Sequence, residues 1–575
     1  MNTNMNMSSS SEISSFIEWH HEDICQVPDV DKFGILHIDI PPMPTCTGTL
    51  SIMFNIDKSG SMDDLCSDSS TKMQHIHHAL KNILRVLVKT LDTEPNLTIR
   101  VAICVFSHNT HNLFDIVTDL SGAIMCDKYG FTTIHSENIQ SILKKIDTID
   151  PWGLTNIEKS LKYTQTSLAD YHTEFPEHRL VHIQFTDGEA TVGKKTYQEL
   201  IEFTDQTYKH VYIGIGDFHD SYLLTNLSQN LCLGEYRFID QLENSGMICG
   251  EILYDILHPY HYPNNPIKII TNNGVKIFDW RINQWTTCLN IPAFSGNRSK
   301  DFQLCFNDET GEHVYENAVI DIYSVDDNLE QDKDILLEMV KTLPQLLNQD
   351  GTPVVVDLTT FILRQFTQEY LYEAAQHELM FRSDIYCLQR ENRHNNRNNQ
   401  SSENIRQKLE LFAKTLELYQ NNMLLETDRN FVQVLKDDIR ITLHNMDTDL
   451  GFMYSNSRQT SQGNQYSYVP TGNDILSDNN LNYSTLERNI STNVHSDIYN
   501  MMTQVQNIDD LEYDNSQSDE EDPKADVRRT VALGDDAVNV VEASIMIPSP
   551  IRRESYTKHF EFPKMEDYIS TQQIN

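Results

Sequence analysis

The chain has 575 residues, of which 44 are Lys or Arg and 84 are Asp or Glu, for a formal net charge of -40. A charge of that sign excludes nucleic acid as the main partner and an anionic membrane as the docking surface, because both require clustered cations. Hydrophobic content is only 39% and mean hydropathy is -0.46, so part of the chain is expected to stay unpacked. No apolar run approaches the ~20 residues that span a bilayer. The 10 cysteines are scattered with no CxxC pair, which excludes a disulfide framework, a RING finger or a zinc finger. The polar start MNTNMNMSSSSEISS has no secretory pattern. A reducing intracellular compartment, the cytoplasm, is therefore expected.

Residues 1–30 read as a disordered lead-in. Residues 33–40 (FGILHIDI) alternate apolar and polar positions, which predicts a strand. After a PPMP turn, residues 49–57 (TLSIMFNID) form an apolar run that ends in the polar loop KSGSMDD. Residues 73–91 place Ile76, Leu80, Ile83, Leu84 and Leu87 at helical spacing. Buried strands are predicted at 98–107, 179–186 and 210–215, and a further strand at 113–120. Helices are predicted at 136–149, 156–169, 195–208 and 247–257. Strands alternating with helices imply an α/β fold built on a doubly wound, mostly parallel sheet. That unit, with its preceding strand, is assigned to residues 31–258. Short alternating segments separated by turn residues make 259–327 a small antiparallel β module. Residues 328–450 read as a helical region, with segments at 328–348, 358–383 and 403–445 broken by the tract NRHNNRNNQSSEN at 392–404. Residues 451–575, rich in Asn, Ser, Gln, Asp and Thr and carrying SDEED at 518–522, read as a low-complexity, largely disordered acidic tail.

Three loops, each following a predicted strand, hold the residues with chemistry. They are Asp57-Lys58-Ser59-Gly60-Ser61, Gly153-Leu154-Thr155 and Thr186-Asp187-Gly188. In a doubly wound sheet the loops at the carboxyl ends of the strands converge on one crevice. Two carboxylates and three hydroxyls then meet although far apart in sequence. All are hard oxygen donors, the set that suits Mg²⁺ or Mn²⁺ with water completing the shell. A partner's carboxylate would bind well at the open position.

Residues 49–258 resemble a von Willebrand factor type A domain with a metal-ion-dependent adhesion site. The resemblance rests on DKSGS (57–61), GLT (153–155) and TDG (186–188) in that order, with GIGDFHDSYLL (214–224) similar to the family's sequence after its fifth strand. It implies that Ser59, Ser61 and Thr155 ligate the ion, and that Asp57 and Asp187 bind it directly or through water. DFQLCF (301–306) and SNSRQTSQGNQYSYVPTGN (455–473) resemble the region that follows such domains in intracellular proteins of this kind. Some of those proteins carry a RING finger and act in ubiquitin transfer, and others carry Hint-type domains. This chain has neither signature, so their activities are not carried over.

Other features are weighed against these. Asp63 and Asp64 read as a solvated helix start, where negative charge is favourable, with an adjacent cation site as the alternative. His75, His77 and His78 read as surface histidines, because no carboxylate or Cys completes a metal set. HHEDIC (20–25) lacks the second histidine of a zincin motif. Ser59 and Ser61 have no evident base to make either a nucleophile. The expectation is a non-enzymatic intracellular interaction protein that binds an Asp or Glu of a protein partner through a divalent cation. Two alternatives stand beside it: a substrate adaptor in ubiquitin transfer without its own RING, and a structural component of a particle, virion-associated if viral.

Overall fold

In the computed structural model residues 13–465 are described, except 22–29, 67–68, 117–124, 206, 217, 230–232, 240–241, 261–265, 297, 308–313, 326–334, 345–354, 389–394 and 449. The expected tail beyond 465, with SDEED at 518–522, lies outside the described residues.

The central strands are apolar along their whole length, the pattern of strands covered on both faces. Gly48–Asp57 and Arg179–Thr186 bury nearly every residue. They sit in a sheet ordered Gly234–Ile239, Lys209–Ile215, Arg179–Thr186, Gly48–Asp57, Leu97–Phe106, Thr110–Asn112. The first five run parallel, and Thr110–Asn112 and the short Thr132–Thr133 pair antiparallel with Leu97–Phe106. Helix Lys72–Thr93 opens on a capping box in which Thr71 and Gln74 satisfy each other's backbone N–H. It shares one core with helices Ile139–Ile146 and Leu242–Leu257. Ile157–Glu174 and Ser221–Gln229 cover the opposite face. The α/β, doubly wound, mostly parallel sheet is as expected. Chain order reverses at Gly48–Asp57, whose neighbours are the next strand on one side and Arg179–Thr186 on the other.

The antiparallel strands behave differently from expectation. Lys32–Ile40 is not a neighbour of the parallel sheet. It pairs antiparallel with Arg298–Phe306, His37 opposite Asp301, and on its other edge with Ser14–Trp19. Residues 14–19 are thus a strand inside what was expected to be a disordered lead-in. The five-stranded sheet is completed by Val275–Asp279 and Gln284–Thr286. It packs through Ile17, Leu36, Ile38, Ile277 and Leu304 against a four-stranded sheet of Cys288–Ile291, Ile267–Thr271, Val319–Ser324 and Ile335–Lys341. The doubly wound unit is therefore inserted between two strands of one antiparallel sandwich. The physical reason was visible in FGILHIDI: alternation marks an antiparallel strand, whereas the parallel strands here are continuous apolar runs. Ile335–Lys341 also corrects the helix expected at 328–348, since a short apolar run has no decisive period.

Four helices follow: Thr359–Leu388, Asn395–Asn422, Glu426–Asn445 and Gly451–Asn464. Asn395–Asn422 begins inside the tract expected to break helical structure. Gly451–Asn464, expected in the disordered tail, is buried along almost its whole length. Several of its polar groups are matched by partners in other elements. Asn456 donates to Thr225 Oγ1 at 2.8 Å, Ser457 shares a bond with Tyr236 OH at 3.0 Å, and Gln459 donates to the Trp280 carbonyl at 2.6 Å. Composition argues for disorder only where polar groups lack such partners.

A buried ion network ties the parallel sheet to the sandwich. Arg237 pairs with Glu235 and Glu251, and Arg298, at the head of a sandwich strand, pairs with Glu251 at 3.2 Å and Asp255 at 2.7 Å. Removing one member of a buried set leaves charge uncompensated. Arg298→Met is expected to lower the unfolding free energy by about 3–5 kcal/mol in chemical denaturation. A loss smaller than about 1 kcal/mol would show that the network does not hold the two units together.

Candidate functional site

The reversal of strand order places the carboxyl ends of Gly48–Asp57 and Arg179–Thr186 side by side. Asp57 ends the first and Asp187 follows the second, and both are fully buried. Hydrogen bonds join the three loops into one body. Gly60 N–H donates to the Gly153 carbonyl at 3.0 Å and Trp152 N–H to the Lys58 carbonyl at 2.6 Å, tying the first loop to the second. Thr155 N–H donates to Thr191 Oγ1 at 2.9 Å and Thr191 N–H to the Thr155 carbonyl at 3.1 Å, tying the second to the third. The Thr186 hydroxyl donates to Asp57 Oδ2 at 2.6 Å and closes the ring. Gly153, at φ +96°, turns the backbone beside Ser107 and His108, where a side chain would be strained.

Within this ring Ser59 N–H donates to Asp57 Oδ1 at 2.9 Å, and the Ser59 and Ser61 hydroxyls share a bond at 3.1 Å. Ser59 and Thr155 are buried. The structure thus brings the loops of all five expected site residues, Asp57, Ser59, Ser61, Thr155 and Asp187, into one hydrogen-bonded ring. Asp63 and Asp64 are exposed, as expected of a solvated helix start. The histidines depart from expectation: His75 is fully buried in the first helix, and His78 Nε2 meets Asn82 Nδ2 at 2.9 Å.

Electrostatics distinguish the two aspartates. Asp187 Oδ2 accepts from Lys72 Nζ at 3.1 Å in a buried ion pair. Asp57 accepts only neutral hydrogen bonds. Burial, and then the neighbouring Asp187 charge, push its carboxyl up to about 7. With Lys72 paired to Asp187, an ionised Asp57 leaves a negative charge in a buried crevice, a state relieved by a proton or by a cation. The donors offered are carboxylates and hydroxyls, hard oxygens that fit Mg²⁺ or Mn²⁺. The residues present therefore fit the ion that the resemblance implies.

Lys72 was missed by sequence reasoning, as was Thr186 as a hydrogen-bond donor to Asp57. The only local signal for Lys72 is a lysine as the first residue of a helix, where the helix dipole disfavours it. Elsewhere among the described residues, His377, Glu378 and Asp447 lie close enough to hold a metal. Arg406 pairs with Asp447 Oδ2 at 3.2 Å there, and Asp447 N–H donates to Glu378 at 2.9 Å, the arrangement of a structural ion-pair network.

No family model matches the sequence, and no curated protein matches it. Solved structures do. A von Willebrand factor type A protein from Catenulispora acidiphila aligns at 12% identity and a TM-score of 0.43, over 65% of this chain and 83% of that one. The ArnB paralogue VWA2 from Sulfolobus acidocaldarius aligns at 13% identity and a TM-score of 0.40, over 79% and 99%. The pilus adhesin SpaC from Lactobacillus rhamnosus GG aligns at 11% identity and a TM-score of 0.27, over 57% and 47%. The chain's own doubly wound, mostly parallel sheet and the convergence of its three loops are those that the sequence resemblance to von Willebrand A domains implies.

An acid whose folded pKa is raised binds its proton more tightly folded than unfolded. Its contribution to stability is present at low pH and is lost as pH rises from the ordinary value near 4 to the folded value near 7. In chelator, the wild type should therefore lose stability relative to Asp57→Asn across that window, read as the difference between their urea midpoints. An unchanged difference from pH 4 to 8 would show that Asp57 is not an uncompensated buried acid.

Proposed function

We propose that this chain is a protein-interaction module that binds an Asp or Glu of a protein partner through Mg²⁺ or Mn²⁺ held at Asp57, Ser59, Ser61, Thr155 and Asp187. The observation that carries the reading is the uncompensated buried charge of Asp57 among hydroxyl donors at the point where strand order reverses, the place where doubly wound sheets bind ligands. The ion would supply an electrophilic position for a carboxylate oxygen. The protein's part is to hold the donors. Thr186 fixes one Asp57 oxygen and Ser59 N–H the other, and the inter-loop bonds keep the ring from collapsing.

A second observation supports a macromolecular partner. Four large apolar side chains stand exposed on the loops around the site: Leu65 at 68%, Trp152 at 67%, Phe218 at 59% and Leu154 at 53%. Trp152 and Leu154 flank Gly153, the Phe218 carbonyl lies 3.5 Å from Lys72 Nζ, and Leu65 precedes the first helix by one short loop. Exposed apolar groups clustered on one face mark an interaction surface. No helix among the described residues is long and apolar enough to cross a membrane. The reading is of binding and not of turnover, in an intracellular setting, and it uses every polar group in the ring without requiring a nucleophile.

The test is proximity labelling with wild type beside Asp57→Ala, followed by release of the captured partner from the immobilised full chain. Chelation should release it and moderate salt should not, because a desolvated ion–carboxylate contact is poorly screened. Trp152→Ala should weaken the partner by about tenfold, the scale of losing an aromatic anchor that the partner buries, without changing Mn²⁺ affinity. Release by salt with retention in chelator would overturn the ion-bridged mechanism and leave the fold untouched.

A further inference from the structure

Lys72 is placed where a lysine is unfavourable. It is the first residue of helix Lys72–Thr93, at the positive end of the helix dipole, and its side chain is 5% exposed. Its ammonium has two acceptors, Asp187 Oδ2 at 3.1 Å and the Phe218 carbonyl at 3.5 Å. The surroundings are shaped for its stem. Gly216, at φ +79°, lies against it, and a side chain there would bring a Cβ to 3.1 Å from Lys72 Cε. A buried cation kept in so unfavourable a position, in a slot that fits it, has a use beyond packing.

We propose that Lys72 is an internal counter-cation that shares Asp187 with the bound ion and lowers the site's affinity for that ion until a partner carboxylate arrives. The inference rests on the ion-binding reading above. Asp187 is engaged on both oxygens, Oδ2 by Lys72 and Oδ1 by the Glu189 N–H at 3.3 Å. The ion therefore meets a carboxylate already half neutralised. The charges give the sign of the coupling. Asp57, Asp187 and the neighbouring Glu189 face the crevice with Lys72 as counter-charge. With Lys72 in place the ion meets one fewer uncompensated negative charge, and a partner carboxylate is drawn by the ion and Lys72 together. Without Lys72 the ion would gain more from the carboxylates, and the partner carboxylate would meet less positive charge. Lys72 thus weakens the ion alone and favours ion and carboxylate together, which makes the partner part of the ion's own binding site.

The experiment is calorimetric titration of the full chain with Mn²⁺, comparing wild type, Lys72→Met and Lys72→Arg, with circular dichroism to show that each is folded. Lys72→Met keeps length and loses charge, and Lys72→Arg keeps charge. Lys72→Met is expected to bind Mn²⁺ at least about tenfold more tightly, the scale of removing one unit charge a few ångströms away in a partly buried site. Lys72→Arg is expected to match the wild type. Binding by both, with Lys72→Met tighter than a wild type that itself binds at millimolar Mn²⁺, supports the proposal. If wild type binds and Lys72→Met binds equally or more weakly, the counter-cation role is overturned and the ion site stands. If neither binds at millimolar Mn²⁺ while folded, the ion-binding reading fails and this inference with it. Should Lys72→Met not fold, Lys72→Gln, which keeps a donor for Asp187, is read by the same outcomes.

Discussion

The structure around the crevice depends on one constraint: a carboxylate, Asp57, buried at the end of a central strand without a cation of its own. Gly48–Asp57 is covered on both faces and flanked by two parallel neighbours, so Asp57 cannot turn to solvent. Two donors hold its oxygens, the Thr186 hydroxyl and the Ser59 N–H, but neither carries charge. A buried carboxylate in that state either takes up a proton or acquires a cation. The neighbouring loops supply the oxygens that would share such a cation. Lys72 compensates Asp187 and leaves Asp57 as the residual negative charge.

The rest of the chain keeps the crevice in one shape. The third loop is buried at Thr186, Asp187 and Gly188, and it draws support from beyond its neighbouring loops as well. Asp220 N–H donates to the Asp187 carbonyl at 2.7 Å, and Asp220 immediately precedes helix Ser221–Gln229. That helix is in turn seated on the buried helix Gly451–Asn464 through Asn456 and Thr225. The same buried helix reaches the sandwich through Gln459 and the Trp280 carbonyl. A sequence-distant polar helix therefore bridges the sandwich and the helix behind the site. Insertion of the parallel unit between two sandwich strands, with the Arg298 ion network at the junction, gives the crevice a second fixed support.

How much of this could be read from sequence divides along physical lines. The apolar runs at 49–57, 98–107 and 179–186 state their own burial, and the order of strands and helices between them implies a switch point. The three loops were legible because each follows such a run and each carries oxygen donors. Pairing partners were not legible. Lys32–Ile40 meets Arg298–Phe306 across more than half of the described chain, and nothing in FGILHIDI names that partner. Ser14–Trp19 was hidden because its alternation is short and polar. Gly451–Asn464 was hidden because its order comes from hydrogen bonds to groups elsewhere, not from its own composition. Lys72 was hidden because its meaning lies in Asp187, 115 positions away.

The central claim is that the ring of Asp57, Ser59, Ser61, Thr155 and Asp187 holds a divalent cation. The most direct measurement is anomalous diffraction at the manganese edge from crystals of the full chain grown with Mn²⁺. The account predicts one anomalous peak at metal–oxygen bonding distance from the Ser59 and Ser61 hydroxyls, absent in Asp57→Ala crystals grown alongside. Well-ordered wild-type density for these loops with no anomalous peak between them would contradict it.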